Sequence, residues 1–356
     1  MTQETIQMLP EWVPQDAILL AWPHSQSDWA PILHEVQRTY CNIIEQVTRF
    51  EPVVLLVPKD PNEYASLPSE LRSRCLLVPC PTNDTWCRDY GPLALQSPSG
   101  ARVLVDFTFN AWGGKFVSAL DNLVVRRLMM KDLFALDVAY FEASSLTFEG
   151  GALECNGEGL LLTTKSCVED PLRNPHLCET PYIYEALLQC LGLTDYCSLE
   201  VAPLPGDDTD GHIDTIARFV DPDTIIYVSP SDPTAQSFAA LTQLERQLKE
   251  LARLRPNLRL IALPDVGDYP SRYETDCLIP ATYANFLLVN GALLLPIYGR
   301  STDSEAQRIL QQALPHLEIV PIDCSILVEQ HGSLHCISMQ IPQGFLNPSL
   351  LDTITR

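Results

Sequence analysis

Apolar positions follow two rhythms along this 356-residue chain. Short continuous apolar runs, bounded by proline, glycine, asparagine or aspartate, predict strands over residues 53–57, 75–78, 103–109, 160–163, 216–220, 225–228, 258–263, 286–289 and 292–297. A spacing of three to four predicts helices over 32–47, 123–136, 182–191 and 241–254. The last places Leu241, Leu244, Leu248, Leu251 and Leu254 on one stripe with charged residues opposite, the pattern of a helix laid on a core. Gly192 falls where the third helix needs a C-terminal cap. Asp221-Pro222-Asp223 and Asn290-Gly291 each join two strands. Asn-Gly predicts a type I′ turn, in which both residues take positive φ. Asn156-Gly157-Glu158-Gly159 lacks the spacing of a phosphate loop and reads as another hairpin turn. Strand pairs alternate with helices, which predicts an α/β fold with a mixed sheet in one domain over residues 1–356. No linker, low-complexity tract or internal repeat is visible.

Composition narrows this picture. Hydrophobic residues make up 46% of the chain, enough for a sizeable core. No apolar run reaches the roughly 18–20 residues that span a bilayer. Met1-Thr2-Gln3-Glu4-Thr5 lacks the basic start and apolar centre of a signal peptide, so a cytoplasmic location is expected. The 12 cysteines are scattered, with no Cys-x-x-Cys pair, which predicts reduced, buried, hydrophobe-like side chains and no metal site. A formal charge of −22 disfavours nucleic acid as a partner and suits a cationic ligand, although it serves solubility equally well.

The exception among the cysteines is Cys336, in Gly332-Ser333-Leu334-His335-Cys336. Upstream lie Trp86-Cys87-Arg88-Asp89, Phe148-Glu149-Gly150-Gly151 and Asp210-Gly211-His212-Ile213-Asp214. A soft nucleophile, a histidine and several carboxylates are what attack on a cationic carbon requires. If the 210–214 segment is extended, His212 and Asp214 project on one face, as a proton shuttle beside a cation-binding carboxylate would. The plainer reading of Asp-Gly-His is a surface turn. His331 and His335 are rivals by proximity to Cys336, although His335 would point to the opposite face if its segment is a strand. Arg88 is explained equally by a local salt bridge. Trp22, Trp86 and Trp112 are ordinarily core residues, with Trp86 the best placed to line a pocket.

These segments, together with Ala21-Trp22-Pro23, Asp28-Trp29, Asn110-Ala111-Trp112-Gly113-Gly114, Arg173-Asn174-Pro175-His176-Leu177 and Tyr283-Ala284-Asn285-Phe286, resemble in the same order the agmatine deiminases of the bacterial and plant peptidylarginine-deiminase-like family. The resemblance covers nearly the whole chain. It implies a five-bladed α/β propeller of ββαβ units around a pseudo-fivefold axis, the pentein fold. It also implies hydrolysis of agmatine to N-carbamoylputrescine and ammonia, with no metal and no organic cofactor. Carried over residue by residue, it makes Cys336 the nucleophile, His212 the proton shuttle and Glu149 the support of the protonated histidine. Asp89 and Asp214 become the clamp on the guanidinium, and Trp86, Trp112 and Trp22 the substrate-binding aromatics. One stretch departs: many of these enzymes carry Gly-Gly-Gly-Asn-Ile before His-Cys, where this chain has Gln330-His331-Gly332-Ser333-Leu334. That bears on substrate preference more than on the chemistry: free, peptidyl or methylated arginine is the nearest alternative and an amidinotransferase the second, while a non-catalytic guanidinium-binding protein is disfavoured by the presence of all five catalytic residue types. A papain-like protease is disfavoured because its cysteine precedes its histidine. The oligomeric state is open, a homodimer included.

Overall fold

The structure, a computed structural model, describes residues 5–177 and 181–354. The first four residues of the expected start and Cys178 lie outside the described residues. Among the described residues the strands form five sheets, distributed over two compact units. The first unit comprises Met1–Gly150, Cys190–Gly192 and Cys336–Arg356, the second Gly151–Gln189 and Leu193–His335. The mixed α/β character expected from the alternation is present in both.

Every sheet contains the same arrangement: two antiparallel strands, a helix, and a third strand parallel to the second. In the first unit, Ser338–Pro342 runs antiparallel to Gln15–Ala21, which leads through the helix Leu33–Val47 to the parallel strand Val53–Val57. Cys75–Pro79 adds a fourth strand. The other sheet of this unit pairs Leu93–Gln96 with Arg102–Thr108, then passes through Val124–Met129 to Val138–Thr147, with Gln7–Met8 added at the edge. In the second unit, Glu154–Cys155, Leu160–Thr164, Tyr182–Leu191 and Asp195–Leu199 form one such module. Ala217–Asp221, Thr224–Val228, Phe238–Leu254 and Arg259–Leu263 form the next. Leu287–Val289, Ala292–Ile297, Asp303–Ala313 and Glu318–Asp323 form the last. Parallel pairing needs a crossover, and the helix supplies it while covering the sheet with its apolar stripe. The middle strands show the consequence: Val53–Val57, Leu160–Thr164 and Thr224–Val228 are buried at every position.

Several local expectations change. The helix expected over 123–136 stops at Met129, because Asp132 takes a left-handed φ of 53° and Phe134 instead bridges to Leu346. Asn290-Gly291 does close a hairpin, but only Gly291 has positive φ, so the turn is not type I′. Gly192 does cap its helix, at φ 65°. Among the described cysteines, Cys41, Cys190, Cys197 and Cys277 are partly exposed rather than buried. Burial pushes the Cys75 and Cys155 thiols up to about 12, which keeps them unreactive. No described helix is long and apolar enough to cross a membrane.

Candidate active site

In the first unit the site residues sit on tight turns. Asp84-Thr85-Trp86 leads into a single helical turn, Cys87–Tyr90. Asp89 N–H donates to the Trp86 carbonyl at 3.0 Å, and the Arg88 N–H donates to the Cys336 carbonyl at 3.1 Å. The Arg88 side chain is buried, donates to Gln340 Oε1 at 2.6 Å and pairs with Glu11 at 3.5 Å. Its role is therefore to fasten the Asp89 turn to the segment bearing the cysteine. Gly150 belongs to the same construction: a Cβ there would overlap the Arg88 carbonyl oxygen, so only glycine lets the Glu149 segment approach.

The Asp89 carboxylate is buried, 5% exposed, and its Oδ2 accepts the Trp112 indole N–H at 3.0 Å. Trp112 reaches it from an unusual backbone. Ala111 and Trp112 both have φ 54°, followed by Gly113 and Gly114 at 86°. A left-handed non-glycine residue costs roughly 1–3 kcal/mol, and such strain persists where the surroundings over-determine it. Here Asn110 Oδ1 accepts the Gly113 N–H at 2.9 Å, while Phe109 and Phe116 pack edge-on against the indole. Trp86 rests on Trp29 at 5.6 Å, and Trp29 is fixed by Thr85 Oγ1 at 2.9 Å. Cys336 and Glu149 are both buried in this unit.

The second unit holds the candidate histidines His212, His331 and His335. His212 is fully buried, at the N-terminal end of a 3-10 turn, Ile213–Thr215. The 210–214 segment is not extended, so the condition under which His212 and Asp214 would share one strand face is not met: Asp210 and Gly211 are left-handed, at φ 70° and 92°, and Asp214 lies inside the helical turn. Asp214 Oδ2 is 2.6 Å from His335 Nδ1. Asn285 secures this pair, accepting the His335 N–H at Oδ1, 2.9 Å away, and donating to the Asp214 carbonyl at 3.4 Å. Burial would raise the Asp214 carboxyl, but the His335 hydrogen bond and electrostatic attraction to His335, His212 and Arg218 together hold it below its ordinary range. Asp214 is thus kept as a carboxylate.

Cys336, His212, Asp89, Asp214 and Glu149, all buried, are the candidates that sequence reasoning named. That reasoning missed the partner of Asp214. His335 would lie on the far face only in a strand, but residues 334–337 form a turn, so the alternation does not apply. Trp22 packs edge-on against Tyr40 and donates to the Glu63 carbonyl at 3.1 Å, contacts of a core tryptophan. In the departing stretch, His331 takes φ 64° and Ser333 shares a 2.8 Å hydrogen bond with Tyr298. Among the described residues no His, Cys, Asp and Glu cluster is disposed to hold a metal.

Three comparisons bear on this set. A chain from Yersinia pseudotuberculosis, provisionally named an agmatine deiminase, is 32% identical over 363 residues, 96% of each chain. A solved structure from Porphyromonas gingivalis, provisionally named an arginine deiminase, is 44% identical with a TM-score of 0.88, over 96% of this chain and 100% of that one. A C. jejuni agmatine deiminase, solved with substrate bound and a cysteine-to-serine substitution, is 33% identical with a TM-score of 0.86, over 97% of this chain and 98% of that one. These comparisons define the class as deiminases, hydrolases of carbon–nitrogen bonds. Within it, the chain belongs to the Porphyromonas-type peptidyl-arginine deiminase family, whose sequence profile matches residues 7–342.

Proposed function

We propose that the chain hydrolyses agmatine to N-carbamoylputrescine and ammonia, acting over residues 1–356 as one catalytic domain whose five ββαβ modules are the blades of a pentein propeller. Asp89 and Asp214 accept hydrogen bonds from the guanidinium. The Cys336 thiolate adds to the central carbon, and one C–N bond breaks as His212 protonates the departing ammonia. The resulting S-alkylthiouronium is attacked by water, whose proton passes to His212. Collapse forms the urea oxygen and returns the thiolate. Glu149 supports the protonated imidazole. A guanidinium carbon is a poor electrophile because three nitrogens share its charge, so a strong nucleophile and fixed anions are both needed.

The observation that carries this reading is the Asp89 carboxylate, buried and oriented by the Trp112 indole N–H, an acidic acceptor of the kind that a planar guanidinium pairs with. Arginine is the second reading, favoured by the 44% identity to the P. gingivalis chain. An ammonia-release screen over agmatine, arginine and arginine-terminated peptides tests both. Agmatine is expected to be turned over fastest, and mass spectrometry during turnover should find the adduct on Cys336. Release from arginine alone would transfer the assignment to the second reading, and an adduct on another cysteine would remove Cys336.

A further inference from the structure

We infer that Arg173 is a positioning residue for His212, an inference that rests on reading His212 as the group that moves protons. Arg173 opens the Arg-Asn-Pro-His-Leu motif, to which the proposed chemistry gives no task. Its side chain is completely buried. Asp170, three residues earlier, pairs with Nη1 and anchors the guanidinium. The same Nη1 reaches Asp210 Oδ2 at 2.9 Å, and Nη2 donates to the Thr209 carbonyl at 2.9 Å. Both acceptors belong to the residues immediately before Gly211-His212.

Those residues form a turn that does not hold by itself. Asp210 and Gly211 are both left-handed, and Asp210 has a Cβ that disfavours that region. The turn is grasped from two sides. On one side Asp207 accepts the Gly211 N–H at 2.7 Å and the Thr209 hydroxyl at 2.8 Å, and Thr209 Oγ1 in turn accepts the His212 N–H at 3.1 Å. On the other side stands the Arg173 fork. A planar guanidinium engages a carboxylate and a carbonyl at once, which a lysine ammonium cannot do in the same fixed geometry. Arg173 therefore sets the direction in which the chain delivers the imidazole, without touching substrate.

The test is a double-mutant cycle of Arg173→Lys and His212→Gln, read as kcat and KM of ammonia release. Arg173→Lys should lower kcat by about 100-fold, the scale on which small misplacements act, with KM within about threefold. On the His212→Gln background it should lower kcat by less than about threefold further, because the group it positions is gone. Asp210→Asn, which leaves the Asp170 anchor and the Thr209 carbonyl in place, should reproduce the effect in milder form and serves if Arg173→Lys does not fold. Equal losses on both backgrounds, or a rise in KM with kcat intact, would overturn the positioning role while leaving His212 as the shuttle. Near-normal turnover by His212→Gln would instead overturn the His212 assignment, and the inference with it.

Discussion

Asp89 and Asp214 are both buried carboxylates, yet they are held by different means. Asp214 has a histidine against one oxygen and nearby positive charge, so it stays ionised despite burial. Asp89 has a neutral indole, delivered by a strained turn. An indole N–H orients the carboxylate, which suits the cation-accepting role proposed for it. Replacing Trp112 by phenylalanine keeps the ring packing and deletes the donor. Hydrogen bonds to charged groups are worth roughly 1.5–3 kcal/mol. Trp112→Phe should therefore raise KM for the guanidinium substrate by roughly tenfold or more, with kcat less affected. Unchanged steady-state constants in the folded variant would show that the indole only fills space. The motifs made Asp89, Cys336 and His212 legible. The Asp214–His335 contact was not, because it depends on two turns whose backbone angles no residue pattern announces.

At the scale of elements, legibility follows burial. Val53–Val57 and Ala292–Ile297 stand in the middle of their sheets, are apolar nearly throughout, and match the expected bounds. Asp195–Leu199 and Glu318–Asp323 are outer strands with exposed, polar positions, and no apolar run marks them. Asp303–Ala313 buries only Ala306 and Leu310, too thin a stripe to register as a helix. Gln15–Ala21 is as apolar as the legible strands and belongs among them, though the periodicity reading leaves it out. Glycine signals carried over well. A Cβ on Gly192 would overlap the Ile6 carbonyl oxygen and demand left-handed φ of a non-glycine residue. Gly192→Ala should cost at least about 1–3 kcal/mol, measured as a lower urea midpoint at unchanged slope.

The segment leading to Asp89 carries a less visible feature. Asp121 Oδ1 accepts the Asn83 N–H at 2.6 Å, and Asp84 accepts the Thr85 N–H at 2.7 Å. Burial pushes the Asp121 carboxyl up to about 8 and the Asp84 carboxyl up to about 7, against the lowering effect of those N–H bonds. A carboxyl whose pKa is higher folded than unfolded binds protons more tightly in the native state. Its contribution is fully present below the unfolded value and is lost as pH rises through the folded one. These two groups should therefore make the protein less stable as pH climbs from about 4 to about 8. Asp121→Asn keeps an acceptor for the Asn83 N–H and removes the ionisation. Its stability relative to wild type should improve steadily between pH 5 and 8 in urea titrations. A difference independent of pH would mean that Asp121 does not titrate in this window.

For the whole molecule, charge and substrate choice converge. Arginine differs from agmatine by an α-carboxylate, and a buried anion without a partner is costly. Arg173 is engaged by Asp170 and Asp210, Arg218 by Glu154, and Arg300 lies over Tyr269 with a bond to the Asp268 carbonyl. Recruiting Arg218 to a substrate carboxylate would strip the buried Glu154 of its ion-pair partner, and recruiting Arg173 would strip the half-buried Asp170 and Asp210 of theirs. Agmatine makes no such demand and brings a second positive charge to a chain of formal charge −22. We therefore expect kcat/KM for agmatine to exceed that for arginine by at least about 100-fold, or roughly 2.7 kcal/mol of transition-state binding. Ionic strength separates the two sources of that preference. Long-range attraction fades as the Debye length falls from about 30 Å at 0.01 M to about 8 Å at 0.15 M, whereas contacts inside a desolvated pocket are little screened. Salt should thus lower kcat/KM for agmatine more than for arginine and leave kcat of both nearly constant. A preference that persists at high salt belongs to the pocket, one that collapses toward unity belongs to the net charge, and a preference for arginine at any salt would overturn the agmatine assignment while leaving the deiminase chemistry intact.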